Sequence, residues 1–190
     1  RIRNDWLRQR LDSVIPALME RENIAMWIIS AREYNEDPVI MSMLPEPSMS
    51  ARRRTILIFA RNADGGVDRL TLHRYGYGDL YQPAWNPDEE GQFDALRRVV
   101  TEYDPATIAL NTSATFAFGD GLTHHEHGLI SAALGDLMAR VVGAERLCVG
   151  WLETRIVPEM VAYPDIVQIG HEIIRRAFSN NVIHPGITNT

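Results

Sequence analysis

An α/β fold, with a mixed β-sheet flanked by helices, is predicted by three features of this 190-residue chain. Continuous apolar runs at Ile24 to Ile29 and Thr55 to Ala60 have strand length and no polar alternation, which marks strands buried on both faces. Other segments carry a single apolar stripe at helical spacing. The two kinds alternate along the chain, as they do where helices cover the faces of a sheet.

From Asn4 to Arg21, the residues Trp6, Leu7, Leu11, Val14, Ile15, Leu18 and Met19 form one helical stripe. Pro16 lacks an N–H and clashes with the preceding turn, so a kink is expected, or two helices meeting near Asp12 and Ser13. Asn62 to Gly66 supplies Asn, Asp and two Gly between apolar runs, a hairpin signal. Val67 to Tyr75 then alternates with Leu70 and Leu72 on one face, predicting a strand with one wet side. Tyr75 to Pro87, rich in Gly, Pro and aromatics, reads as a loop. Asp88 to Tyr103 is an amphipathic helix with acids in its first turn, which suits the helix dipole, and Asp104-Pro105 ends it.

Thr107 to Leu110 reads as a short buried strand closed by Asn111, and Phe116 to Leu122 as a turn region. A helix is expected within His125 to Val142, stopped at Gly143, and a further short strand at Arg146 to Gly150. The character changes between Trp151 and Val157, predicting a domain at 1–151 and a second unit from 152. There Pro158 suits a first helical position, and Pro164 falls where a missing N–H costs little. Val161, Ile166, Val167, Ile169, Ile173, Ile174, Ala177 and Phe178 give that helix a wide apolar face that needs a partner.

Apolar residues make up 45% and charged residues 23%, a globular composition, and the net charge of −6 argues against nucleic-acid binding. No apolar run approaches the ~18 residues of a membrane span. The single cysteine, Cys148, excludes an internal disulfide and a thiolate zinc cluster; it reads as a small buried hydrophobe and fits a cytoplasmic or an exported chain alike. The start at Arg1 without Met, and an end at Asn189 and Thr190 that reads as the cap of a coming helix, predict a piece of a longer protein, and the start also fits a removed leader.

Three places could carry chemistry. His124 and His127, flanking His125 and Glu126, are three apart and would share a helical face, so both could reach one metal. The cluster lacks the i, i+4 histidine pair of HExxH, and a polar helix start is the plainer reading. Arg32, Glu33, Tyr34 and Asn35 follow the buried run at 24–29, and in α/β sheets ligands gather beyond the carboxyl ends of strands. This segment reads equally as a functional surface or as a solvated loop. Tyr75, Tyr77, Tyr81 and Trp85, near Gly76 and Gly78, form a third group, either interface aromatics or residues packed on the domain's own edge. Arg52-Arg53-Arg54 reads as a solvated edge rather than a phosphate site. Gly119-Asp120-Gly121 lacks the spacing of a phosphate loop, and Ser13, Ser30 and Ser113 lie in no nucleophile elbow.

Several stretches in order resemble one family. Ser30-Ala31-Arg32-Glu33-Tyr34-Asn35-Glu36-Asp37-Pro38 and Ser50-Ala51-Arg52-Arg53-Arg54-Thr55-Ile56-Leu57-Ile58-Phe59 look like the amino-terminal domain of a bacterial branch of pita-bread metallopeptidases, the aminopeptidase P/prolidase/creatinase group. Asn111 to Leu122 is similar to that branch's loop after the central strand. Glu153-Thr154-Arg155, Pro158-Glu159-Met160, His171-Glu172-Ile173-Ile174 and Pro185-Gly186-Ile187-Thr188 resemble the linker and start of the catalytic domain. The resemblance implies a creatinase/prolidase-like domain at 1–151 and the first helix of a truncated pita-bread domain at 152–190. It also implies, in the longer parent, two divalent metal ions (manganese, cobalt or zinc) that activate a water against the bond before proline. None of their ligands maps onto a residue here. The implied role is non-catalytic: Arg32, Glu33, Tyr34, Asn35, Tyr77 and Trp85 would shape substrate access or oligomer contacts, with the catalytic domain, a peptide substrate and further copies of the chain as partners. The alternative is a stand-alone binding or oligomerisation module.

Overall fold

A computed structural model describes residues 2–48 and 50–189. The helix cap expected at the end of the chain includes Thr190 and lies outside them. The contacts divide the chain into two compact units, Arg1–Thr154 and Arg155–Thr190.

The first unit is an α/β domain with a six-stranded mixed sheet. Its elements are α1 (Ile2–Arg21), β1 (Met26–Arg32), α2 (Pro38–Met43), β2 (Arg54–Arg61), β3 (Val67–Thr71), β4 (Gln82–Pro83), α3 (Gln92–Tyr103), β5 (Ile108–Leu110), α4 (His124–Leu134), β6 (Val141–Gly143) and α5 (Glu145–Glu153). The strand order is β4-β3-β2-β1-β5-β6. β1 lies antiparallel to β2, with Trp27 opposite Phe59 and Arg32 opposite Arg54, and parallel to β5 on its other side. The β2–β3 hairpin forms where the Asn62 to Gly66 stretch predicts it, and the Asn62 side chain closes the turn by accepting the Gly66 N–H at 2.8 Å.

Alternation along β1 sends Met26 and Ile28 to one face and Trp27 and Ile29 to the other, and all are buried. The first face joins Ile56, Ile58 and Leu70 against Ala95, Leu96, Val99 and Val100 of α3 and Ile130 and Leu134 of α4. On the second face Trp27 packs on Phe59, with ring centres 5.8 Å apart, beneath α1, α2 and α5. Each such side chain contributes about 1.5–3 kcal/mol by leaving water. α1 is tied to α5 by Arg10. Its guanidinium lies 4.2 Å over the Trp151 ring and donates to the Trp151 and Thr154 carbonyls, a cation set at the negative end of α5.

Several local expectations are corrected. α1 is one unbroken helix through Pro16. The carbonyl that loses its partner belongs to Asp12, which is exposed, so water can take that bond. α3 starts at Gln92 rather than Asp88, because Asn86 accepts the Asp88 N–H and holds 86–90 in a turn. α4 ends at Gly135, not Gly143. That glycine has φ +55°, and Arg97 donates to the freed Ala133 and Leu134 carbonyls. The expected strand at 146–150 is helix α5. Leu147, Cys148 and Trp151 are buried at helical spacing, and a short apolar run cannot distinguish the two forms. β3 has no wet side at its carboxyl end, where Thr71 and His73 are buried as fully as Leu70 and Leu72.

The second unit is α6 (Val157–Ala177), with Pro158 in its first turn and Pro164 inside it. Glu159 reaches back to the Ile156 N–H at 2.9 Å, half of a capping box. Glu172 bridges Arg175 and Arg176. No residue of this 21-residue helix is buried, and Val161, Ile166, Ile169 and Ile173 are each more than half exposed. Among the described residues, no helix is long and apolar enough to cross a membrane.

Gly121 is set where a Cβ would overlap the buried carboxylate of Asp37. Gly121→Ala is therefore expected to lower stability by about 1–3 kcal/mol, the usual cost of overfilling a packed site, measured by urea unfolding.

Candidate functional site

The carboxyl ends of β1 and β5 and the amino end of β2 meet at one end of the sheet, and two polar ties hold the loops there. The first is a buried ion pair. Arg54 enters β2 and donates from Nε and Nη2 to the two carboxylate oxygens of Glu126, at 2.8 and 2.9 Å. Ser30 of β1 adds a bond to Glu126 at 3.3 Å, and the Arg54 guanidinium lies 4.8 Å over the Phe93 ring. Glu126 is 1% exposed and stands in the first turn of α4, where a negative charge is favoured.

The second joins Asn111, the residue after β5, to β1. Asp37 caps α2 by accepting the Val39 and Ile40 N–H groups at 2.7 and 3.0 Å. Asn111 accepts the Trp27 indole N–H at 2.8 Å. Asp37 Oδ2 and Asn111 Nδ2 are buried without a hydrogen-bond partner among the described residues. Burial pushes the Asp37 carboxyl above its ordinary range, while its backbone donors and the nearby Asn111 amide oppose that rise.

Arg32, Glu33, Tyr34 and Asn35 form the exposed turn at the end of β1. Tyr34 is 93% exposed and Arg53 also faces water, and both hold left-handed backbone, at φ +69° and +59°. They are locked side by side, since Glu33 N–H donates to the Arg53 carbonyl at 2.8 Å and Glu33 Oε2 accepts the Arg53 N–H. Non-glycine residues in that region are uncommon and concentrate at functional surfaces.

The aromatic loop divides. Tyr77 and Tyr81 are buried, so neither is an exposed interface residue. Tyr77 stacks on His73 at 4.7 Å and pairs its hydroxyl with Thr55, while Tyr81 donates to the Met43 carbonyl. Trp85 is half-buried, its indole N–H held by the Glu90 carbonyl at 2.9 Å. His124 and His125 are exposed on α4, and His127 lies within 3.4 Å of the Ser131 hydroxyl. Among the described residues, no group of three His, Cys, Asp or Glu side chains is placed to hold a metal ion. Cys148 is buried, and burial pushes its thiol pKa up, which keeps it protonated and unreactive.

A cleft of about 340 Å³ lies beside this turn, lined by Arg52, Arg53, Arg54, His73, Arg74 and Tyr75, with Trp85, Pro87 and Gln92 across from them. The β2–β3 register builds it. Leu57 pairs with Thr71, and continuing that ladder sets Arg54 toward Arg74 and Thr55 toward His73. Gln92 fastens the far wall by donating to the Leu72 carbonyl at 2.6 Å. Burial, reinforced by Arg52, holds the His73 imidazole below its ordinary pKa of 6.5. The neutral ring, the fixed guanidinium charges and the Trp85 and Tyr75 faces suit binding of an anion rather than proton transfer. The triplet 52–54 was visible in the sequence; its meeting with His73, Arg74 and Trp85 was not.

The fold and this site define an α/β domain with a mixed sheet and a cationic, aromatic-edged cleft at one end. No family model matches the chain, and neither a curated protein nor a solved structure matches it.

Arg54→Met is expected to destabilise the domain by about 2–3 kcal/mol, because it strands the Glu126 charge. The loss is below that of a fully buried pair, since the Arg54 side chain keeps 24% of its surface in water. The double variant Arg54→Met, Glu126→Leu should be less destabilised than Arg54→Met alone, by denaturant titration. For His73 the folded state resists a proton that the unfolded chain accepts. Its contribution to stability is then complete above a pH of about 6.5 and is lost as the pH falls below that. His73→Gln should flatten the acid-side decline of the melting temperature.

Proposed function

We propose that this chain is the non-catalytic amino-terminal part of a metal-dependent aminopeptidase or dipeptidase that cleaves bonds before proline. In this reading residues 1–151 form a creatinase/prolidase-like domain that shapes substrate access and oligomer contacts, and residues 152–190 open the pita-bread catalytic domain. The observation that carries it is α6: a 21-residue helix with no buried residue and a wide apolar face, following directly on a complete α/β domain. Such a face is stable in water only when another element covers it. The order of family-like stretches from Ser30 to Thr188 supplies the family, and the exposed turn at Arg32 to Asn35 supplies a surface for an entrance. The resemblance maps none of the ligands of its two metal ions onto a residue of this chain. No step of hydrolysis is therefore assigned to this chain.

The same apolar face supports a second reading, a binding or oligomerisation module. The two differ in a simple assay. The 190-residue chain with manganese should leave X-Pro peptides intact, followed by chromatography of the products. Turnover above the metal-only control would overturn the non-catalytic assignment. Extending the chain by its downstream residues should restore turnover if the peptidase reading holds.

A further inference from the structure

We propose that the cleft between Arg52, Arg53, Arg74 and Trp85 binds a small organic oxyanion, a carboxylate or a phosphate, carried on a flat apolar ring. The inference does not rest on the peptidase reading. Four arginines line the cleft and no carboxylate does, in a chain whose net charge is −6. Their charges are not equally available. Arg54 is spent on Glu126. Arg74 meets only the exposed Asp88, at 3.8 Å. Among the described residues, Arg52 and Arg53 form no ion pair, and both are exposed. Arg52 instead lies 5.4 Å over the Tyr75 ring, so its position is held by an aromatic face and not by an acid.

The backbone commits to this arrangement. Arg53 keeps a left-handed conformation, at φ +59°, that a non-glycine residue holds only when its surroundings impose it. The bonds between Glu33 and the Arg53 backbone impose it here and leave the guanidinium free. Arg52, held over the Tyr75 ring, and Arg53, on a held backbone, present forked N–H donors that match the geometry of a carboxylate or phosphate.

The remaining wall selects the rest of the ligand. The Trp85 indole N–H is already bonded to Glu90, so what Trp85 offers the cleft, which Pro87 and Tyr75 also line, is an apolar ring face. At about 340 Å³ the cleft is at the small end of ligand sites, room for one ring and its anionic group rather than for a polymer.

The test is titration of the 190-residue chain with phenyl phosphate, benzoate, inorganic phosphate and benzamide, by calorimetry and by tryptophan fluorescence. Saturable binding of phenyl phosphate or benzoate is expected, and the tighter of the two identifies the anionic group. Inorganic phosphate should bind at least about tenfold more weakly, from loss of the ring contact, and benzamide not at all. Arg52→Gln with Arg53→Gln should weaken the aryl anions by about tenfold or more at an unchanged melting temperature. If that pair of changes lowers the melting temperature, Arg74→Gln gives the same reading at a position with 57% of its side chain in water. Trp85→Phe should keep the heat of binding and lose the fluorescence change. The proposal is overturned by any of three results: no saturation by either aryl anion at about 10 mM, equal binding of benzamide or of inorganic phosphate, or arginine variants that bind unchanged.

Discussion

Seven consecutive residues of β1 pair with β2 on one side, and three of them pair with β5 on the other. Every side chain of the strand but the last is buried, so both of its faces must be covered. That demand organises the molecule. α3 and α4 cover the face of Met26 and Ile28, and α1, α2 and α5 cover the face of Trp27 and Ile29. A parallel neighbour on one side and an antiparallel one on the other also bring the end of β1, the end of β5 and the start of β2 to the same place. The polar loops therefore converge because of how the apolar strand is paired.

Convergence alone would leave those loops mobile, and buried polar contacts prevent it. The Arg54–Glu126 pair joins the start of β2 to the first turn of α4, and the bond from the Trp27 indole to Asn111 joins β1 to the loop after β5. Each has a cost if broken, since a stranded charge or an unbonded amide in an apolar surrounding is expensive. The exposed Tyr34 and Arg53 can therefore keep left-handed backbone on a surface that would otherwise relax. Glu126 stands among three histidines that draw attention as a metal cluster, yet it is the carboxylate between them that is buried and bonded.

The functional picture has two separate parts. The end of the sheet offers fixed cations and aromatic faces. α6, described by itself, offers an apolar face with every residue accessible. A domain whose own core is complete has no internal need for either feature, so each points to something it meets: a small anion in the first case and a larger apolar surface in the second.

Residue patterns by themselves determined the α/β class, β1, β2, the hairpin into β3, β5, α1, α3 and the apolar helix after residue 157. In each of these the spacing of apolar residues, or the Asn, Asp and Gly of the 62–66 turn, is a local property of consecutive residues. They left α5 misread as a strand, because Arg146 to Gly150 is too short for periodicity to separate the two forms. They left Tyr77 open between an interface aromatic and one packed on the domain's own edge, because its burial involves His73 and Thr55. Arg32, Glu33, Tyr34 and Asn35 were legible as a candidate surface from their place after a buried strand. The cleft was not, because its parts come from residues 52–54, 73–75, 85–87 and 92. Only the antiparallel register of β2 and β3, and the packing of the loop and α3 that follow, bring them together. A side chain's neighbours across a sheet are set by long-range pairing, which no window of consecutive residues contains.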